Sequence, residues 1–161
     1  MHLKPQIKIL HKKKLIGLNI EISFSNNLTY DLWQSFMKRK KEIKNVFSQD
    51  LFSMQIYPEN FDFNPTVKFI KWAAVEVIQI SKIPEGMDSF IFSGGLYAVF
   101  HYKGSSEDIS IFKTIFNEWL PKSKYIVDNR RPHFEVLGQK YKNNNLNSEE
   151  DIYIPIKLKT N

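Results

Sequence analysis

The sequence predicts an α+β fold of two successive β-α-β-β units that share an antiparallel sheet and leave a ligand groove between them. Three observations lead there. Apolar residues alternate with a period of two in several short runs, most strictly from Leu18 to Phe24, which marks half-buried strands. Apolar residues at helical spacing follow a strand in each half of the chain. The halves also keep step: Leu15 and Leu96, Gln55 and Glu135, and Val77 and Ile156 are each about 80 residues apart, the spacing expected of an internal duplication. One such unit cannot bury both a helix face and a sheet face. Two units packed about a pseudo-twofold axis can, and their seam is a natural groove.

The elements follow in order. Lys14 to Phe24 reads as a strand, and Ser25-Asn26-Asn27 as a turn and helix cap. Leu28, Leu32, Trp33, Phe36, Met37 and Ile43 then mark one face of an amphipathic helix from Asn27 to about Asn45. Phe52 to Tyr57 is a short strand and Pro58 to Pro65 a loop. Val67 to Ile80 centres on the strand Trp72-Ala73-Ala74-Val75-Glu76-Val77-Ile78, and Pro84-Glu85-Gly86 turns the chain. The order then repeats. Phe90-Ile91-Phe92 is apolar, Gly94-Gly95 punctuates it, and Leu96 to Tyr102 is a strand. Ser105 with Asp108 resembles a capping box. Ile109, Phe112, Ile115, Phe116, Trp119 and Leu120 line a helix that Pro121 stops. His133 to Leu137 is a strand, Lys140 to Glu149 a polar loop, and Ile152 to Leu158 the last strand. Pro155 within that last run argues for an edge or a bulge.

The chain has 161 residues, which predicts a single domain over 1–161 with internal repeats at about 5–80 and 86–159. It has no cysteine, which excludes disulfides, thiolate metal sites and a cysteine nucleophile, and fits a reducing cytoplasm. There is no apolar run of membrane-spanning length and no secretory h-region, so neither a membrane protein nor a secreted one is expected. Net charge is +6, but the lysines are mostly scattered. The clusters Lys12-Lys13-Lys14 and Lys38-Arg39-Lys40-Lys41 read as a turn and a helix C-terminus, and no DNA- or RNA-binding signature accompanies them. Specific nucleic-acid binding is therefore not expected. Aromatic residues reach 14%, enough to build a bulky core or line a pocket with rings. His101 and His133 have no partners at metal-ligand spacing, so neither a metal nor a cofactor is expected.

Seven short stretches, in this order, carry a resemblance. They are Leu32-Trp33-Gln34-Ser35-Phe36-Met37, Gln55-Ile56-Tyr57-Pro58, Lys71-Trp72-Ala73-Ala74-Val75-Glu76-Val77, Ile83-Pro84-Glu85-Gly86, the run Gly94 to Gly104, Glu118-Trp119-Leu120-Pro121, and Ile152-Tyr153-Ile154-Pro155-Ile156. Together, from about Pro5 to Lys159, they resemble the GyrI-like small-molecule-binding family, which also supplies the effector-binding domain of AraC-type and multidrug-responsive regulators. The resemblance implies two β-α-β-β halves around an aromatic groove, often with one buried glutamate, and bulky cationic ligands. The family glutamate falls on Glu135 and a second acidic position on Glu76. The regulators carry a DNA-binding domain ahead of this one. No counterpart is expected in this chain, so it is not expected to control transcription by itself.

Glu135 stands in an apolar strand, where an unpaired, desolvated carboxylate costs several kcal/mol unless a cation, a hydrogen-bond network or a proton meets it. Strand alternation could equally turn it to solvent or toward a lysine. Tyr97 and Tyr153 are the preferred pocket rings, because a tyrosine hydroxyl wants a polar end. Tyr57, Trp72, Trp119, Trp33, Phe36 and Phe112 complete the candidate ring set. The expected function is capture of an aromatic, cationic small molecule for sensing or sequestration. The alternatives are a hydrolase of strained cyclopropane-type compounds with Glu135 as general base, and a protein partner such as DNA gyrase. Ligand identity and oligomeric state stay open.

Overall fold

A computed structural model describes residues 3–160. Strands β1 (Gln6–Leu10) and β2 (Lys13–Ile22) lead to helix α1 (Thr29–Arg39), followed by β3 (Leu51–Ile56), β4 (Phe69–Val77), β5 (Asp88–Phe92) and β6 (Gly95–Lys103). The second helical segment has three parts: α2 (Ser110–Thr114), a π-helical turn (Ile115–Trp119) and a last turn, α3 (Leu120–Lys122). Strands β7 (Tyr125–Val127), β8 (His133–Leu137) and β9 (Glu149–Leu158) complete the chain. The strands form one 9-stranded antiparallel arrangement in the order β1-β6-β9-β8-β3-β4-β2-β5, with β7 added on β9. Among the described residues no helix is long and apolar enough to cross a membrane.

Both faces of the sheet are apolar, for different reasons. On one face α1 lays Leu32 and Phe36 over Ile16, Ala73, Val75 and Val77, and the second helical segment lays Ile111 and Ile115 over Ala98, Phe100, Ile152, Ile154 and Ile156. The other face curls onto itself. β5 ends the strand order and β6 lies next to its opposite end, yet only Ser93 and Gly94 join them. Phe92 of β5 therefore meets Tyr97 of β6 at 5.6 Å and Phe134 of central β8 at 5.5 Å. Gly94 permits this closure: its φ is +86°, and an added Cβ would collide with the carbonyl oxygen of Leu10.

Several elements differ from the sequence expectation. β1 and β7 have no counterpart in it; both are short and held by partners far along the chain, β1 on β6 and β7 on β9. α1 ends at Arg39, but a 3-10 turn over Lys40–Glu42 carries the helical run to within three residues of Asn45, and Arg39 bonds there to Glu42 (2.8 and 3.0 Å) and to the Glu85 carbonyl (2.6 Å). No capping box forms at Ser105. Instead Asp108 accepts from the Ser110 N–H at 2.9 Å, one turn later. Pro121 lies within the last helical turn, and the turn ahead of it has opened into the π form, which accommodates the missing N–H and the crowding of a proline ring. Pro155 marks neither an edge nor a bulge. β9 lies between β6 and β8, and Pro155 stands where β9 passes from β8 to β7, accepting from the Asp128 N–H at 2.9 Å.

Candidate functional site

α1 and α2 cover the two flanks of their face and leave the seam between β3 and β8 to a cavity of about 720 Å³. Its floor is made of Gln55 and Tyr57 from β3 and the residue after it, Phe69 and Lys71 from β4, His133 and Glu135 from β8, and Ile154 from β9. Ile109, Phe112 and Phe116 wall one side, and Ile22, Phe24 and Thr29 the other. These floor residues share a face because alternation sets it: Gln55 pairs with both Lys71 and His133, and Ser53 pairs with Glu135.

The loop after β3 roofs the cavity with rings. Tyr57 stacks on Phe61 at 4.4 Å, Phe61 lies 5.1 Å from Phe63, and Phe63 reaches Phe116 at 4.9 Å. Phe63 holds a φ of +65°, unusual for a bulky side chain, so the ring contacts on both sides must hold it there. Tyr57 also meets His133 edge-on at 4.8 Å.

The floor carries a polar row. Ser53, Gln55, Lys71 and His133 are buried, and Glu135 is half-buried at the cavity wall. Lys71 donates to Ser53 Oγ at 2.7 Å. The Gln55 amide turns its oxygen to the Lys71 ammonium, while its NH₂ donates to Glu135 Oε2 and to the His133 carbonyl, each at 3.2 Å. That orientation follows from chemistry, since an ammonium only donates and a carboxylate only accepts. Gln55 thus relays between the buried Lys71 and the half-buried Glu135. Burial pushes the Glu135 carboxyl up, against the pull of Lys71 and the Gln55 hydrogen bond. Burial pushes the Lys71 ammonium down, against the attraction of Glu135 and Glu150. His133 is held down to about 3 by burial, so it is neutral and donates from Nε2 to Asn129 Oδ1 at 2.6 Å. The Tyr57 hydroxyl is pushed up by burial and by Glu135.

Of the residues named from sequence, Glu135, Tyr57 and Phe112 line this cavity. Tyr97, Tyr153 and Trp72 do not. Phe134 and Glu135 are successive in a strand and so face opposite ways, and all three rings lie with Phe134. Tyr153 stacks on Phe134 at 4.5 Å. Tyr97 is fully buried, donates to the Pro132 carbonyl at 2.7 Å and carries Arg131 5.1 Å above its ring. Trp72 packs on Phe90 at 5.7 Å, its indole N–H without a partner among the described residues. Glu76 lies on that opposite face too and pairs with Lys13 at 3.7 Å. Phe36 is core under α1 with Trp33 edge-on against it at 5.8 Å, and Trp119 meets Phe100 edge-on at 5.2 Å. These three serve helix packing.

Sequence reasoning missed Lys71, Phe24, Phe63, Phe69 and Phe116 as cavity residues. Lys71 had a signal: it falls in the same strand phase as Ala73, Val75 and Val77, where a lysine is out of place. Phe63 had none, because its place depends on a loop closing over a distant helix.

One of the comparisons shows a family. The profile described as GyrI-like small molecule binding domain matches residues 3–157. The chain is 28% identical over 144 residues to the transcriptional regulator BrlR of Pseudomonas aeruginosa, covering 88% of this chain and 51% of that one. The chain thus spans about half the length of the curated relative it matches. Among solved structures, SAV2435 bound to tetraphenylphosphonium superposes with a TM-score of 0.72 at 15% identity, over 96% of this chain and 94% of that one. The C-terminal domain of EcmrR superposes with a TM-score of 0.72 at 10% identity, over 99% of this chain and 100% of that one. At such identities the structures share a fold with this chain, and the match over residues 3–157 settles the kinship: the chain belongs to the GyrI-like small molecule binding domain family.

Proposed function

We propose that this protein is a single effector-binding domain that captures a bulky aromatic cation in the cavity between its helices, for sensing or sequestration in the cytoplasm. The observation that carries this reading is the cavity itself: about 720 Å³ of space lined by six Phe and Tyr rings, with the half-buried Glu135 carboxylate on its floor. That volume suits a drug-sized molecule. Rings around a carboxylate favour a delocalised cation, each ring contributing about 0.5–2 kcal/mol through its face. The fold shared with SAV2435, which is bound to tetraphenylphosphonium, agrees with that ligand class. The strand order supports a duplicated architecture: β1, β6, β9 and β8 run in from one end as β5, β2, β4 and β3 do from the other. The cavity would then straddle the pseudo-twofold axis.

The test is a thermal-shift titration with tetraphenylphosphonium and with neutral triphenylphosphine oxide. A native-state ligand raises the melting temperature by an amount that grows with its concentration over Kd. The cation should give the larger shift. No shift with the cation at millimolar concentration would sink the reading.

A further inference from the structure

Four neighbouring strands set a row of ionisable and polar groups beneath the cavity: Lys71 on β4, Gln55 on β3, Glu135 on β8 and Glu150 on β9. Glu135 pairs with Ile152, so Glu150, two residues earlier on the same face, is its diagonal neighbour at about 7–8 Å between backbones. The charges of the row act on one another: Glu135 and Lys71 both act on Glu150, Glu135 and Glu150 both act on Lys71, and Lys71 acts on Glu135. The row holds two acids and one base, an odd number. Fully ionised, it keeps one negative charge without a partner in the row, on carboxylates that are each only half-open to water. Such a charge is costly, and either a proton or a monovalent cation in the cavity removes the cost. Both together would leave a positive charge instead.

We propose that the row Lys71–Glu135–Glu150 exchanges a bound proton for the ligand's cation, so that uptake of an aromatic cation near neutral pH expels up to about one proton to solvent. This rests on the cation reading above. The proton leaves a carboxyl oxygen of the row and goes to buffer; no covalent bond of the ligand changes. Glu150 does not touch the ligand. It sets the charge that Glu135 and Lys71 must balance.

The other groups around the row do not supply the proton. The hydroxyls of Tyr57 after β3, Tyr102 on β6 and Tyr141 in the β8–β9 connection are all pushed up by burial and stay protonated. His133 on β8 is held down to about 3 and stays neutral. From α2 and the loop after β3, Lys113 and Asp62 reach the cavity wall with opposite charges. Asp151 is bound to His101 at 2.8 Å and Asp108 to the Ser110 N–H at 2.9 Å. Glu150 itself is pushed up to about 7 by burial and by Glu135, which sets the exchange near neutrality.

Calorimetry with tetraphenylphosphonium tests this directly, because the probe carries no proton of its own. Titrating the whole chain at pH 7 in phosphate and in Tris, which differ in ionisation enthalpy, counts the protons released. The expected result is about half a proton at pH 7, rising toward about one at pH 6 and falling to about none at pH 9, with Kd falling up to about tenfold per pH unit between 5 and 7. Glu150→Gln should bind the probe but release less than about half as many protons, with a flatter pH dependence. Equal heats in the two buffers with a pH-independent Kd would overturn the exchange and leave the cation reading standing. Failure of the wild-type chain to bind the probe at all would overturn both.

Discussion

Gln55 donates to Glu135 across the seam between β3 and β8, at 3.2 Å, while the oxygen of the same amide takes the Lys71 ammonium. The half-buried Glu135 carboxylate is therefore already supplied with a cation through one intervening side chain. A ligand must compete with Lys71 as well as with water.

Glu135→Gln keeps the shape of the floor and removes its charge. Affinity for tetraphenylphosphonium should fall by about ten- to a hundredfold, or about 1.4–2.8 kcal/mol, while neutral triphenylphosphine oxide is nearly unaffected. Calorimetry on both ligands checks this; equal losses would mean that Glu135 acts through structure and not through charge.

Lys71→Met removes the internal competitor from an apolar strand phase. Tetraphenylphosphonium should bind about tenfold more tightly at neutral pH. An unchanged Kd would show that Lys71 does not share Glu135 with the ligand.

Stability should respond to pH in two opposed ways. Glu150 titrates at about 7 in the folded chain, above the ordinary glutamate value of 4.5, so the native state binds the extra proton. Its contribution is present below 4.5 and is lost as pH rises through 7. His133 is the reverse. The unfolded chain takes its proton near 6.5 and the native state only near 3, so stability is lost as pH falls between those values. Glu150→Gln should then melt higher than wild type at pH 8 and about equally at pH 5. Melting curves at the two pH values decide it, and a gain of equal size at both would refute the assignment.

Asp128 is buried and holds two arginines, Arg130 through two contacts of 2.9 Å and Arg131 at 3.5 Å. Arg131 in turn donates to the Leu96 and Ile156 carbonyls at 2.6 and 2.7 Å, tying β6 to β9. Asp128→Asn should cost about 2–4 kcal/mol in urea denaturation, because it leaves Arg131 near a neutral partner. The Asp128 carboxyl is held at about 2 by Arg130, so the contribution is present above 3.8 and lost as pH falls toward 2. A loss under about 0.5 kcal/mol would show that the carbonyl contacts hold Arg131 alone.

Much of the fold was legible from local pattern. β2, α1, β3, β4, β6 and β8 lie where alternation or helical spacing put them, since each buries one stripe or face against a neighbour. The site was legible in one residue more than in its setting. Glu135 stood out as a carboxylate in an apolar strand, but its hydrogen bond to Gln55 across β3 and β8 did not. Of the rings expected beside it Tyr57 and Phe112 line the cavity, while Tyr97, Tyr153 and Trp72 lie on the other face for a physical reason. Trp72-Ala73-Ala74-Val75 is apolar at every position, so alternation separates two faces without saying which one the helices cover.

The sequence by itself determined the α+β class, the family, the order of its main strands and helices, and the presence of an acid among aromatics. Period-two and helical spacing, and the chemistry of a carboxylate in an apolar run, are properties of neighbouring residues. Only the tertiary structure decided that Tyr97 and Tyr153 join the curled inner face, that Phe63 reaches Phe116, and that Lys71 and Glu135 meet through Gln55. Those relationships depend on sheet curvature, loop closure and cross-strand register. Each couples residues far apart in sequence, so no local pattern records them.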